Sequence, residues 1–96
     1  MMITRFVKMT FAPEKVNEFL AVFNDAKTKI ESFEGCSHLE LLQDISNKNI
    51  FFTYSIWETE EHLGRYRKSN LFEVTWEKTK KIFSDKPEAW TLTTPS

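Results

Sequence analysis

Ile50-Phe51-Phe52-Thr53-Tyr54-Ser55-Ile56-Trp57-Glu58-Thr59-Glu60-Glu61 decides how this 96-residue chain folds. The run from Ile50 to Ile56 is dominated by β-branched and aromatic residues and predicts a strand. It delivers Trp57 to its end, where Thr59 followed by Glu60 and Glu61 has the pattern of a capped helix start. Downstream, Tyr66, Phe72 and Trp76 recur at helical spacings, so several rings can converge on one place.

Upstream, residues 36 to 45 alternate, with Cys36, His38, Glu40 and Leu42 opposite Ser37, Leu39, Leu41 and Ile45. The polar run Asp44 to Asn49 reads as a turn, so residues 50 to 58 return as the second arm of a hairpin. Residues 2 to 11 also alternate, placing Ile3, Val7, Met9 and Phe11 on one face of a first strand. Pro13 and Glu14 open a helix that carries Val16, Phe19, Leu20, Phe23 and Ile30 on one stripe and closes at Gly35. After the short helix capped by Thr59, Ser69 or Asn70 restarts a second one, with Glu73 completing a capping box from Asn70. Phe72, Trp76 and Phe83 share its stripe, Pro87 stops it, and Trp90 with Leu92 suggests a last strand.

The order is βαββαβ, an α+β ferredoxin-like arrangement in which two helical segments cover one face of a four-stranded antiparallel sheet. Residues 1–96 form a single domain. The third strand carries Phe51 and Trp57 on one face and Ile50, Phe52, Tyr54 and Ile56 on the other, so a monomer would expose an apolar sheet. A homodimer packed sheet against sheet is therefore expected.

A net charge of −1 with mixed signs argues against a nucleic-acid or membrane partner. Lys78, Lys80 and Lys81 are read as a solvated helix face. The lone Cys36 excludes an internal disulfide, and with no leader-like or membrane-spanning apolar run the expected location is cytoplasmic.

Pro13 to Phe19, Phe33-Glu34-Gly35-Cys36, Leu41-Leu42-Gln43-Asp44, Trp57-Glu58-Thr59-Glu60-Glu61 and Tyr66-Arg67-Lys68-Ser69 follow one another in a specific order and spacing. Together they carry a resemblance to the antibiotic biosynthesis monooxygenase family of dimeric α+β barrels. It implies a homodimer with a pocket between sheet and helices in each subunit. It further implies, as in the catalytic members, oxidation of quinols or phenols by dioxygen without metal or flavin, so no cofactor is expected. Trp57 matches the pocket tryptophan of that family. The haem-degrading relatives place an iron-ligating histidine where this chain has Trp76, and indole cannot ligate iron, so haem degradation is disfavoured. Those relatives also carry an asparagine on the first strand, where this chain has Thr4 and Arg5. Thr53 stands where some oxygenases have an asparagine.

The expected pocket is lined by Phe51, Thr53, Trp57, Tyr66, Phe72 and Trp76, with Arg5 available to neutralise a bound phenolate or carboxylate. Oxidation of a phenol needs a group to take its proton and a donor to hold the anion. His38 and His62 are the candidate bases because imidazole titrates near neutrality, and Tyr66 is the candidate donor. Cys36, His38 and Glu40 share a strand face in this reading, but with no second cluster to complete it a metal site is not expected. The expected activity is a cofactor-independent monooxygenase acting on a small aromatic or quinol-type molecule. The alternatives are a non-catalytic dimer that binds a small ligand in the same cavity, and a structural dimer with that space filled.

Overall fold

A computed structural model describes residues 2–95. The elements are β1 (Ile3–Thr10), a 3-10 turn at Pro13–Lys15 leading into α1 (Val16–Glu31), β2 (Cys36–Gln43), β3 (Ile50–Trp57), α2 (Glu60–Arg67), α3 (Asn70–Lys80) and β4 (Glu88–Leu92). The sheet order is β2-β3-β1-β4 and every pairing is antiparallel, so the expected α+β ferredoxin-like βαββαβ fold is the one found.

Alternation on the strands sorts side chains to two faces. Ile3, Arg5, Val7 and Met9 of β1 pair in register with Trp57, Ser55, Thr53 and Phe51 of β3, and all eight belong to the helix-covered face. Phe11, Phe19, Phe23 and Phe51 are buried at one end of that face, with the Phe11 and Phe19 rings 4.3 Å apart. Each such ring contributes about 1.5–3 kcal/mol through removal from water.

A glycine is required at one junction. Gly35 has φ 91°, and a Cβ there would run into the Cβ and ring of His62. The left-handed turn lets Gly35 accept a hydrogen bond through its carbonyl from the Glu58 N–H at 2.8 Å, tying the start of β2 to the end of β3.

Several boundaries differ from the sequence pattern for local reasons. A register shift between Cys36 and His38 breaks the alternation of β2. Cys36 therefore pairs with Trp57 and packs against the core, while His38, Glu40 and Leu42 face away from the helices. Strand β2 ends at Gln43, because Asp44 Oδ2 accepts from the N–H groups of Ser46 and Asn47 and folds the turn there. Ile45 is left at its tip, 96% exposed. The cap of α3 is Ser69, not Asn70, and its Oγ accepts from Phe72 N–H at 3.1 Å, so Phe72 holds the third helical position and Glu73 falls one residue beyond a capping box. Helix α3 stops at Lys80, well before Pro87, and Phe83 forms a bridge with Phe11 instead of extending the helical stripe.

Candidate functional site

Helix α3 packs on α1 and α2 and not flat on the sheet, which leaves a gap above β1, β3 and β4. That gap is a cavity of about 330 Å³. Its floor is sheet: Arg5, Val7 and Met9 from β1, Thr53, Ser55 and Trp57 from β3, and Leu39 and Ala89 from the flanking strands. Helix side chains close it, chiefly Phe23 of α1, Leu63, Tyr66 and Arg67 of α2, and Phe72, Thr75, Trp76 and Thr79 of α3. Arg67, Glu88 and Ala89 are exposed lining residues, so the cavity opens between the end of α2 and the start of β4.

An unbroken series of ring contacts borders this space. Trp57 stacks on Tyr66 at 4.9 Å, Tyr66 meets Phe72 edge-on at 5.3 Å, Phe72 stacks on Trp76 at 5.8 Å, and Trp76 meets Phe83 at 5.5 Å. Stacked and edge-on rings hold one another rigidly, so the wall has a fixed shape suited to a flat guest. Trp57 is 1% exposed, and its Nε1 donates to Ser55 Oγ at 3.0 Å, two residues away on the same strand. Its indole is thus an apolar wall whose one donor is already committed.

Few polar groups line the cavity. Burial pushes the Tyr66 phenol well above its ordinary range, with the nearby Cys36 adding to the effect, so Tyr66 keeps its proton and acts as a donor at neutral pH. Burial also pushes the Cys36 thiol up, which holds it in the weakly nucleophilic protonated form. Arg5 Nη1 donates to Thr91 Oγ1 at 2.6 Å. Its guanidinium is held below its usual range, first by desolvation and then by repulsion from Arg67.

Of the residues singled out from the sequence, Arg5, Thr53, Trp57, Tyr66, Phe72 and Trp76 come together on the cavity wall. Phe51 does not line it: β3 carries it toward the packed Phe11–Phe19 end, 5.3 Å from the Phe19 ring. His38 lies on the opposite face of the sheet, where it alternates with the buried Leu39 and pairs with Ile56, with Nε2 2.9 Å from Glu40 Oε1 and the ring 5.1 Å from Tyr54. His62 also stays off the wall. Its Nδ1 lies 2.7 Å from Thr59 Oγ1, its backbone N–H donates to the same oxygen, and its ring rests over Gly35.

Arg67, Leu63, Thr75, Thr79 and Glu88 are lining residues that the sequence reading did not select. Leu63 and Arg67 are four apart on one helix face, a spacing that the pattern already contained. Glu88 turns to Lys8 at 3.5 Å. Among the described residues no group of three or more His, Cys, Asp or Glu side chains could hold a metal ion. No described helix is long and apolar enough to cross a membrane.

Residues 2–78 match the family model for antibiotic biosynthesis monooxygenase. No curated protein matches the sequence. Among solved structures, a conserved protein from Methanosarcina mazei Go1 superposes with a TM-score of 0.94 at 21% identity, covering 98% of this chain and 93% of that one. A putative antibiotic biosynthesis monooxygenase from Nitrosomonas europaea gives 0.91 at 11% identity, covering 97% and 89%. SnoaB, a cofactor-independent oxygenase from Streptomyces nogalater, gives 0.86 at 16% identity, covering 99% and 94%. At such identities these superpositions speak for the fold alone.

Proposed function

The chain belongs to the antibiotic biosynthesis monooxygenase family, and from that premise we propose that it oxidises a small phenol or quinol with dioxygen, using neither metal nor flavin. The observation that carries this reading is the ring-walled cavity, about 330 Å³, with Tyr66 as a protonated donor and Arg5 as a cation on its lining. That volume lies at the small end of the roughly 300–1,000 Å³ typical of ligand sites, which suits one or two fused rings.

The substrate supplies the electrons. A phenol held against Trp57 loses its hydroxyl proton to water at the mouth, since neither His38 nor His62 is on the wall. The Tyr66 hydroxyl donates to the resulting phenolate, and the positive charge of Arg5 on the same lining adds to its stabilisation. One electron passes to dioxygen, and the phenoxyl and superoxide radicals join through a new bond between ring carbon and oxygen. That carbon then gives up its hydrogen as a proton while the O–O bond breaks, leaving a second ring carbonyl. The departing hydroxide combines with a proton to form water. One phenol and one dioxygen thus become one quinone and one water.

A non-catalytic binding protein is the second reading, and one observation favours it. Among the described residues the lining contains no histidine, and the carboxylate of its one acidic residue, Glu88, is turned to Lys8 on the outer sheet face. Oxygen-electrode measurements with a panel of naphthols and hydroquinones separate the two. The expected result is one dioxygen consumed per substrate, unaffected by a chelator. Quenching of tryptophan fluorescence by the same compounds with no oxygen uptake would replace the oxygenase with the binder.

We also propose that the functional unit is a homodimer. On the outer sheet face Phe6 and Tyr54 stack at 5.0 Å, and Trp90 and Leu92 are 41% and 46% exposed. A second copy laid on this sheet would bury that apolar surface. Light scattering should return about twice the 11.4 kDa chain mass, and a monomer at micromolar concentration would remove the proposal.

A further inference from the structure

We propose that this cavity selects its aromatic ligand as a carboxylic acid, with Arg5 and Arg67 receiving the carboxylate while the rings of Trp57, Tyr66 and Trp76 receive the aromatic body. The inference rests on the cavity being the ligand site, as above, and adds the chemical class of what it binds.

Three observations carry it. Two guanidinium groups, one from β1 and one from the last turn of α2, line the same small cavity. Among the described residues neither is ion-paired: the arginine pair on this surface is Arg65 with Glu34, and the Glu88 carboxylate is engaged by Lys8, its β1 partner on the outer sheet face. Arg5 makes its one side-chain hydrogen bond to the neutral hydroxyl of Thr91, which leaves its charge uncompensated.

Two cations on the lining of one small cavity repel, and this repulsion adds to desolvation, the larger cause, in lowering the basicity of Arg5. An anion placed between them cancels it, so this part of the lining favours negative charge. The planar guanidinium fork matches a carboxylate in geometry as well as charge. A carboxylate also explains why no base is needed at this end of the cavity. A phenol is neutral at pH 7 and would have to shed a proton to use two cations, whereas an aromatic acid arrives charged. Its phenolic hydroxyl, if it has one, is left for Tyr66.

The test compares 1-naphthol with 1-hydroxy-2-naphthoate, identical but for the carboxylate, by quenching of tryptophan fluorescence in the full chain. The acid should bind about 10- to 100-fold more tightly, as expected for a charge-assisted contact to a partly shielded cation. Its advantage should shrink with added salt. Arg67→Gln, at an exposed helix end where folding is little affected, should remove most of the preference. Arg5→Lys keeps the charge but loses the fork and should lower it. Equal binding of the two compounds, or a preference that survives both substitutions, overturns the inference while leaving the cavity as a site for neutral phenols. Failure of both compounds to bind overturns the cavity reading itself.

Discussion

Replacing Phe11 with alanine should lower the free energy of unfolding by about 3–5 kcal/mol, the usual cost of deleting a buried phenyl ring that its neighbours cannot close over. Phe11 is 1% exposed and joins three elements. Its ring lies 4.3 Å from Phe19 on α1, 6.1 Å from Phe51 on β3 and 5.5 Å from Phe83 in the segment before β4. Those partners are held by a helix, a strand and a bridge, so they cannot all move inward, and the vacated space stays largely empty. A domain of this size has about 5–15 kcal/mol in hand, so the variant should sit near the edge of folding. Urea denaturation followed by tryptophan emission provides the measurement. Val74→Ala, at a position 45% exposed, provides the control and should change stability by no more than about 0.5 kcal/mol. A loss below about 1 kcal/mol for Phe11→Ala would mean that the ring cluster is not packed as described.

The fold was legible because three independent local signals agreed. Strand alternation grouped Ile3, Val7 and Met9 on one face of β1 and Phe51 with Trp57 on one face of β3, Pro13 marked the entry to the first helix, which ends at Glu31 and not at Gly35, and Asp44 to Asn49 read as a turn. The aromatic part of the cavity wall was legible for the same reason, since Trp57, Tyr66, Phe72 and Trp76, with Thr53 beside them, sit where periodicity points them inward. The bulge after Cys36 was not. A register shift inserts one residue without altering composition, and it sent Cys36 to the core and left His38 outside. Nor could spacing distinguish Phe51, which fills space, from Trp57, which borders it. That difference depends on where the helices pack over the sheet, a tertiary fact with no local signature. Arg67 was overlooked because an arginine on a short polar helix reads as solvated. Its significance appears only once β1 brings Arg5 into the same cavity.

The largest functional effect is expected from Thr53→Phe. Thr53 lies on the helix-facing side of β3, between Val7 of β1 and Leu41 of β2, and it lines the cavity floor. Phenylalanine favours strand backbone at least as well as threonine, so β3 should form unchanged. The sheet lies beneath the new ring and its strand neighbours flank it, so the open direction is upward into the cavity. There it occupies volume that a ligand would otherwise take, while burying its own apolar surface. Stability should therefore stay within about 1 kcal/mol of the parent or rise slightly, as in other cavity-filling changes. Affinity for a naphthol should fall by at least about 100-fold, equivalent to about 2.7 kcal/mol, because a phenyl ring and a fused-ring guest cannot share about 330 Å³ that also holds its polar contacts. Arg67→Gln and Thr53→Phe thus differ in kind: the first should remove most of the discrimination between acid and phenol, the second should weaken binding of both. If a folded Thr53→Phe protein binds naphthol as well as the parent does, the guest is bound elsewhere, and the dioxygen chemistry assigned to this cavity loses its location.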